Sequence, residues 1–266
     1  MTNANKIGEI EGLGEIYQVA LPLDEQIKAF AEDGILPPYL ATPEEIAQIR
    51  LAGLSNDFSR TSIAPIALKG EPTVLVKNSP LMNPIMASSA VRAHRNGKYF
   101  EANAGVYESA RDLAKSETAK EPEDRTAIIL SQAGDFQLTS EMDESKFALG
   151  KFTKPYFEKF TQGTIPLWNL STDSKNQAIV NYLWFDHPQY DSGFLCRYRD
   201  LDGHYGAFGV RRGVREAHAQ NFGYSLTDVK NANLQNIHEI LGSIPELEKA
   251  LSESLTSGLV EKLRRG

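Results

Sequence analysis

The chain has 266 residues, of which 41% are hydrophobic and 24% charged, and a formal net charge of −7. That apolar fraction builds a core and excludes a disordered chain, while the lone Cys196 excludes a disulfide scaffold within one chain. No stretch approaches the roughly 18 apolar residues of a membrane-spanning helix, and the net acidity argues against a general nucleic-acid coat protein.

Met1 to Gly14 has one basic residue and no apolar core, so it does not read as a secretory signal, and few cysteines point to the cytoplasm. The last residues, Leu263-Arg264-Arg265-Gly266, carry no lipidation motif. Leu21-Pro22-Leu23-Asp24 reads as a turn feeding a short helix over Asp24 to Glu32. Thr42-Pro43-Glu44-Glu45 combines a cap, a proline at the first helical position and a capping-box glutamate, so a helix should run to about Leu51. Thr61 to Leu68 and Pro72 to Lys77 read as two strands joined near Gly70, with Pro65 placing the first at a sheet edge or bulge. Asn83-Pro84 repeats the cap-plus-proline signal and starts a helix ending at Asn96-Gly97; another spans Gly105 to about Lys115.

Residues 116–125 are polar and contain Pro122, the best candidate for a linker or exposed loop. The chain therefore reads as one domain over 1–266, or as two subdomains: a helix-rich 1–116 and an aromatic-rich 126–266. Thr126 to Leu130 and Phe136 to Thr139 read as strands, and Thr153-Lys154-Pro155 opens a short helix. Fourteen of the 24 aromatic residues lie between Phe147 and Phe208, which marks the main core or a large binding surface, with the core favoured because aromatics bury large areas. Ser171 to Phe185 reads as a capped helix, or one running into a strand. Tyr190 to Arg212 reads as a hairpin with arms at Phe194–Arg199 and His204–Arg212 around Asp202-Gly203. Ser225 to Asp228 would cap a helix through Leu241. A last helix from Ser243 would carry Leu247, Leu251, Leu255, Leu259 and Leu263 in a drifting row. The sum is an α+β fold with a mixed or antiparallel sheet and flanking helices. The alternative is α/β, with Val74–Val76 and Ile128–Leu130 in a βαβ unit.

The sharpest feature is the arginine content of the expected hairpin. Arg197, Arg199, Arg211, Arg212 and Arg215 face only Asp200 and Asp202, a local net charge of +3. Arg197 and Arg199 share one face of a strand. Guanidinium forks suit phosphate or carboxylate. His204 and Tyr205 lie in the same stretch, and Arg92, His94, Arg95 and Lys98 form a second basic cluster at a helix end. If that helix end faced the hairpin, the two clusters would form one groove, with Tyr99 and Phe100 beside it as rings that stack on bases. The leading expectation is thus a soluble binding protein for an anionic partner, nucleic acid or a phosphorylated ligand. Its binding residues would be Arg197, Arg199, His204, Tyr205, Arg211, Arg212, Arg215, Arg92 and Arg95.

Two alternatives stand beside it. Residues 117–146 carry a net charge of −5, and within them Asp135 with Glu144-Ser145-Lys146 has the order of a metal-dependent nuclease. That chemistry needs two carboxylates on a divalent cation. However, Glu141-Met142-Asp143 is not the apolar strand that usually presents it. The other alternative is a homo-oligomeric interaction or scaffold protein. No zinc spacing joins the histidines, no Gly-x-Ser-x-Gly or Walker A sequence occurs, and the sequence leaves any cofactor unknown. Cys196, between Leu195 and Arg197, reads as a buried inert thiol rather than one activated by arginines.

Overall fold

Thirteen strands fall into two sheets among the described residues. The computed structural model describes residues 4–77, 79–173, 176–188, 193–197, 201 and 206–212, all within one unit that ends at Arg212. The helices expected over 225–241 and 243–263 lie outside the described residues.

The larger sheet is mixed and has the order β1-β2-β13-β3-β11-β12-β9-β8. Its strands are β1 (Asn5–Ile10), β2 (Gly14–Ala20), β3 (Ser59–Arg60), β8 (Phe136–Leu138), β9 (Ile165–Trp168), β11 (Trp184–Phe185), β12 (Phe194–Leu195) and β13 (Gly206–Arg211). Two of its pairs are parallel, β12 with β9 and β13 with β3. The smaller sheet is antiparallel throughout, ordered β6-β10-β4-β5-β7, with β4 (Ala64–Ala67), β5 (Val74–Val76), β6 (Phe100–Asn103), β7 (Ala127–Ile129) and β10 (Gln177–Val180). The fold is α+β. β5 and β7 pair antiparallel, Val74 opposite Ile129, so they do not form the βαβ unit of the α/β alternative.

The helices form where the caps lie. In α2 (Pro43–Leu51), Thr42 accepts from the Glu45 N–H at 3.1 Å, and the Glu45 carboxylate accepts from the Thr42 N–H at 2.8 Å. That reciprocal pair satisfies two N-terminal donors. α1 (Leu23–Glu32) buries Leu23, Ile27 and Phe30, spaced to share one face. α3 (Pro84–Arg95) and α4 (Ala104–Ser116) also fall where the sequence places them. α5 (Asp143–Leu149) and α6 (Thr153–Phe160) pack against α2.

Two apolar clusters hold this together. One gathers Ile16, Ile46, Ile49, Phe147, Tyr156, Phe185, Phe194 and Phe208. The other gathers Phe30, Ile66, Val91, Tyr107, Tyr182, Trp184 and Ala207. β13 feeds both, because neighbouring strand residues point to opposite faces: Phe208 enters the first cluster and Ala207 the second. Most described aromatics of the 147–208 stretch are thus core, each contributing about 1.5–3 kcal/mol for full burial.

Three expectations need correction. Pro65 is not at an edge, since β4 lies inside the smaller sheet. Its carbonyl accepts from the Asn181 N–H at 3.1 Å, and the Leu183 N–H donates to the Ile63 carbonyl at 2.9 Å, so the pairing runs on past Pro65 and lacks only the bond that proline cannot donate. The described residues within 171–185 hold no helix; they form β10 and β11, separated by Asn181 to Leu183. β12 and β13 do not form a hairpin, because β3 and β11 stand between them: β12 pairs with β11 and β9, and β13 with β2 and β3. Residues 116–125 contain a 3-10 turn at Pro122–Asp124, and the strands on either side of them share both sheets: β7 joins β5 and β11 joins β3.

Candidate functional site

α3 starts at Asn83, whose side-chain oxygen accepts from the Ile85 and Met86 N–H groups at 2.9 and 3.4 Å. Its buried face is Ala87, Ala90 and Val91. Its last turn carries Arg92, His94 and Arg95, next to the negative end of the helix dipole. Arg92, Arg95 and the following Lys98 are exposed. The chain then turns at Gly97, φ 71°, and delivers Tyr99. The Tyr99 hydroxyl donates to the Arg197 carbonyl at 3.0 Å, across 98 residues of sequence. One bond therefore ties the segment leaving α3 to the segment leaving β12.

Arg197 is held at its backbone and half exposed at its side chain. The preceding Cys196 donates its N–H to the Trp168 carbonyl at 2.8 Å, and its carbonyl accepts from the Asn181 amide at 2.8 Å. The guanidinium of Arg197 lies 3.0 Å from Asp135, with the two side chains 53% and 44% exposed. The other Asp135 oxygen accepts from the Asn169 N–H at 2.9 Å, just beyond β9. The Cys196 thiol is buried, and burial, then the Asp135 charge, pushes its pKa up. It is the inert thiol expected.

The remaining described arginines do other things. Arg211 donates to Glu15 at 2.6 Å and to the Asp33 carbonyl at 3.3 Å, and lies 5.0 Å from the Tyr17 ring. Hydrogen bonds from Lys6 and then Arg211 hold the Glu15 carboxyl down at about 2. Arg212 pairs with Glu45, the same residue that closes the α2 capping box. These two brace the β2–β13 region and the start of α2. Of the expected binding residues, Arg92 and Arg95 at the end of α3 are joined to Arg197 through Tyr99. Arg211 and Arg212 are engaged elsewhere, and Arg199, His204, Tyr205 and Arg215 lie outside the described residues. An open groove of about 380 Å³ between α1 and α3 is lined by Asp24, Ile27, Lys28, Ala31, Pro84 and Ser88 among others, and by none of these arginines.

The carboxylates of the nuclease alternative also have structural partners. Glu144 is buried and accepts from the Ser131 N–H at 2.8 Å, while Asp135 holds Asn169 and Arg197. Among the described residues no group of three or more His, Cys, Asp or Glu side chains is placed to hold a metal ion.

Sequence reasoning missed Arg50. It is 1% exposed and donates to the Tyr156 hydroxyl at 2.8 Å and to the carbonyls of Asp57 and Phe185 at 2.9 and 3.0 Å. Its register was the available signal: it falls four residues after Ile46, on the buried face of α2.

No protein-family model and no curated protein matches the sequence. The chain is similar in structure to a solved protein of Nanoarchaeota described as accommodating massive sequence variation by the C-type lectin fold. The two share 17% identity and a TM-score of 0.51, over 76% of this chain and all of that one. The likeness is one of fold. No helix among the described residues is long and apolar enough to cross a membrane.

Proposed function

We propose that this chain is a binding protein that takes a phosphate-bearing partner on the surface where the end of α3 meets Arg197. The observation that carries the reading is the bond from Tyr99 to the Arg197 carbonyl, which joins two basic segments nearly a hundred residues apart. Arg92, Arg95 and Lys98 supply exposed charge, and Arg197 a half-exposed fork on a pinned backbone. Exposed cations of this kind act through Coulomb attraction that salt screens. The fold adds support: the Nanoarchaeal protein is described as accommodating massive sequence variation by the C-type lectin fold, and a frame that tolerates sequence variation suits recognition.

Phosphate from a nucleic acid and phosphate from a small ligand would meet the same side chains, so the test has two arms. A labelled single-stranded oligonucleotide is titrated by fluorescence anisotropy, and pyrophosphate by calorimetry, both at low salt. Binding of the oligonucleotide alone indicates a nucleic-acid partner; binding of both indicates a small phosphorylated ligand. Arg197→Ala should weaken whichever binds by about 1–3 kcal/mol, and added salt should weaken oligonucleotide binding progressively. Absence of binding in both arms, or affinity that ignores Arg197→Ala and the paired change Arg92→Ala with Lys98→Ala, would overturn the reading.

A further inference from the structure

We propose that Asp135 is a built-in competitor at this surface, a carboxylate that occupies Arg197 and must be exchanged for the anionic group of the partner. The inference rests on the anion-binding reading above and specifies how that site is regulated.

The geometry separates what is fixed from what moves. Asp135 follows Gly134, which turns the chain at φ 76°. Its first oxygen is held by the Asn169 N–H at 2.9 Å and the second reaches Arg197 at 3.0 Å. The Arg197 backbone is held through Cys196 and through Tyr99. Both anchors are independent of the ion pair, so the pair can open without disturbing either segment. Its two side chains are about half exposed, and ion pairs of that kind contribute little stability. A guanidinium that donates to a carboxylate oxygen donates to a phosphate oxygen by the same charge-assisted bond. Asp135 thus stands in for a ligand group. It stays on Asn169 when the ligand arrives and gives up only its hold on Arg197. It sets a threshold that a multiply charged group passes more easily than a weakly charged one.

The test uses the full chain and the same two probes. Asp135→Asn keeps an oxygen acceptor for the Asn169 N–H and removes the charge. It should tighten binding of the probe that wild type binds by about two- to fivefold, the size of one exposed ion pair. The gain should vanish when Arg197→Ala is already present. Asp135→Ser, which also keeps an acceptor, should reproduce the gain and guards against a folding defect peculiar to the first variant. If wild type binds and neither variant tightens binding, the competitor role is wrong and the anion surface stands. If the gain persists without Arg197, it comes from general charge and the competitor role is again wrong. If wild type and both variants all fail to bind at low salt, both readings fall together.

Discussion

Arg50 shows how much one buried cation can organise. Burial pushes its pKa down, yet its guanidinium is bound to a hydroxyl and two carbonyls and sits 4.1 Å over the Phe185 ring. Arg50→Met would keep the bulk and leave the carbonyls of Asp57 and Phe185 without that donor. Unsatisfied buried groups of this kind cost about 1–3 kcal/mol each, so a loss of about 3 kcal/mol is expected from urea unfolding. Arg50→Lys should recover little of it, because one ammonium cannot span the planar fork that reaches three acceptors. Glu15 offers a pH-dependent counterpart at the surface. Its carboxyl is lowered from 4.5 to about 2 by Lys6 and Arg211. A depressed folded value means that its contribution is present above the unfolded value and lost as acid protonates it. The β1 and β2 amides should therefore lose exchange protection as pH falls from about 4.5 towards 2. Glu15→Gln should lower protection at neutral pH and remove that dependence; unchanged protection in wild type across the window would contradict the assignment.

At the scale of elements, the contact between β2 and β13 depends on one glycine. Gly14 has φ 116°, and a Cβ there would lie 2.5 Å from the Arg211 carbonyl oxygen, a backbone atom that cannot swing aside. Gly14→Ala should cost about 2 kcal/mol or more, since the strained conformation and the clash add. Gly12→Ala is a fitting comparison: its φ is 75°, but nothing lies within 4 Å of the added carbon, so it should cost less. The elements legible in the sequence were those with local signals. Thr42-Pro43 and Asn83-Pro84 announced α2 and α3 through capping chemistry that acts within four residues. β3, β11 and β12 have two residues each, too few to show any periodicity. β10 was hidden by the polar, cap-like residues before it, and the hairpin reading failed because Asp202-Gly203 is a local signal while β13 takes its partners from β2 and β3. The same split runs through the candidate site. The basic end of α3 could be read, and so could Arg197. The roles of Arg211 and Arg212 could not, because their carboxylates lie 196 and 167 residues away.

At the scale of the whole molecule, β13 holds the larger sheet together. It pairs with β2 along six residues from Gly206 to Arg211 and touches β3 at Ala207, so among the described strands β2 is joined to β3 through a strand far later in the sequence. The Ala41 N–H also donates to the Phe208 carbonyl at 2.7 Å, which ties the start of α2 to the same strand. Ala207, Phe208 and Val210 are buried and serve both apolar clusters. Without β13 the N-terminal hairpin β1–β2 would keep no partner strand, and a two-stranded ribbon is marginal in water. A chain ended at Leu201 should therefore lose its cooperative thermal transition, whereas one ended at Arg212 keeps every strand pair described and should retain it. Phe208→Ala isolates the apolar share of the effect, with an expected loss of about 3–5 kcal/mol. If the chain ended at Leu201 still unfolds in a single sharp transition, the pairing of β13 with β2 is not what couples the N-terminal ribbon to the rest of the fold.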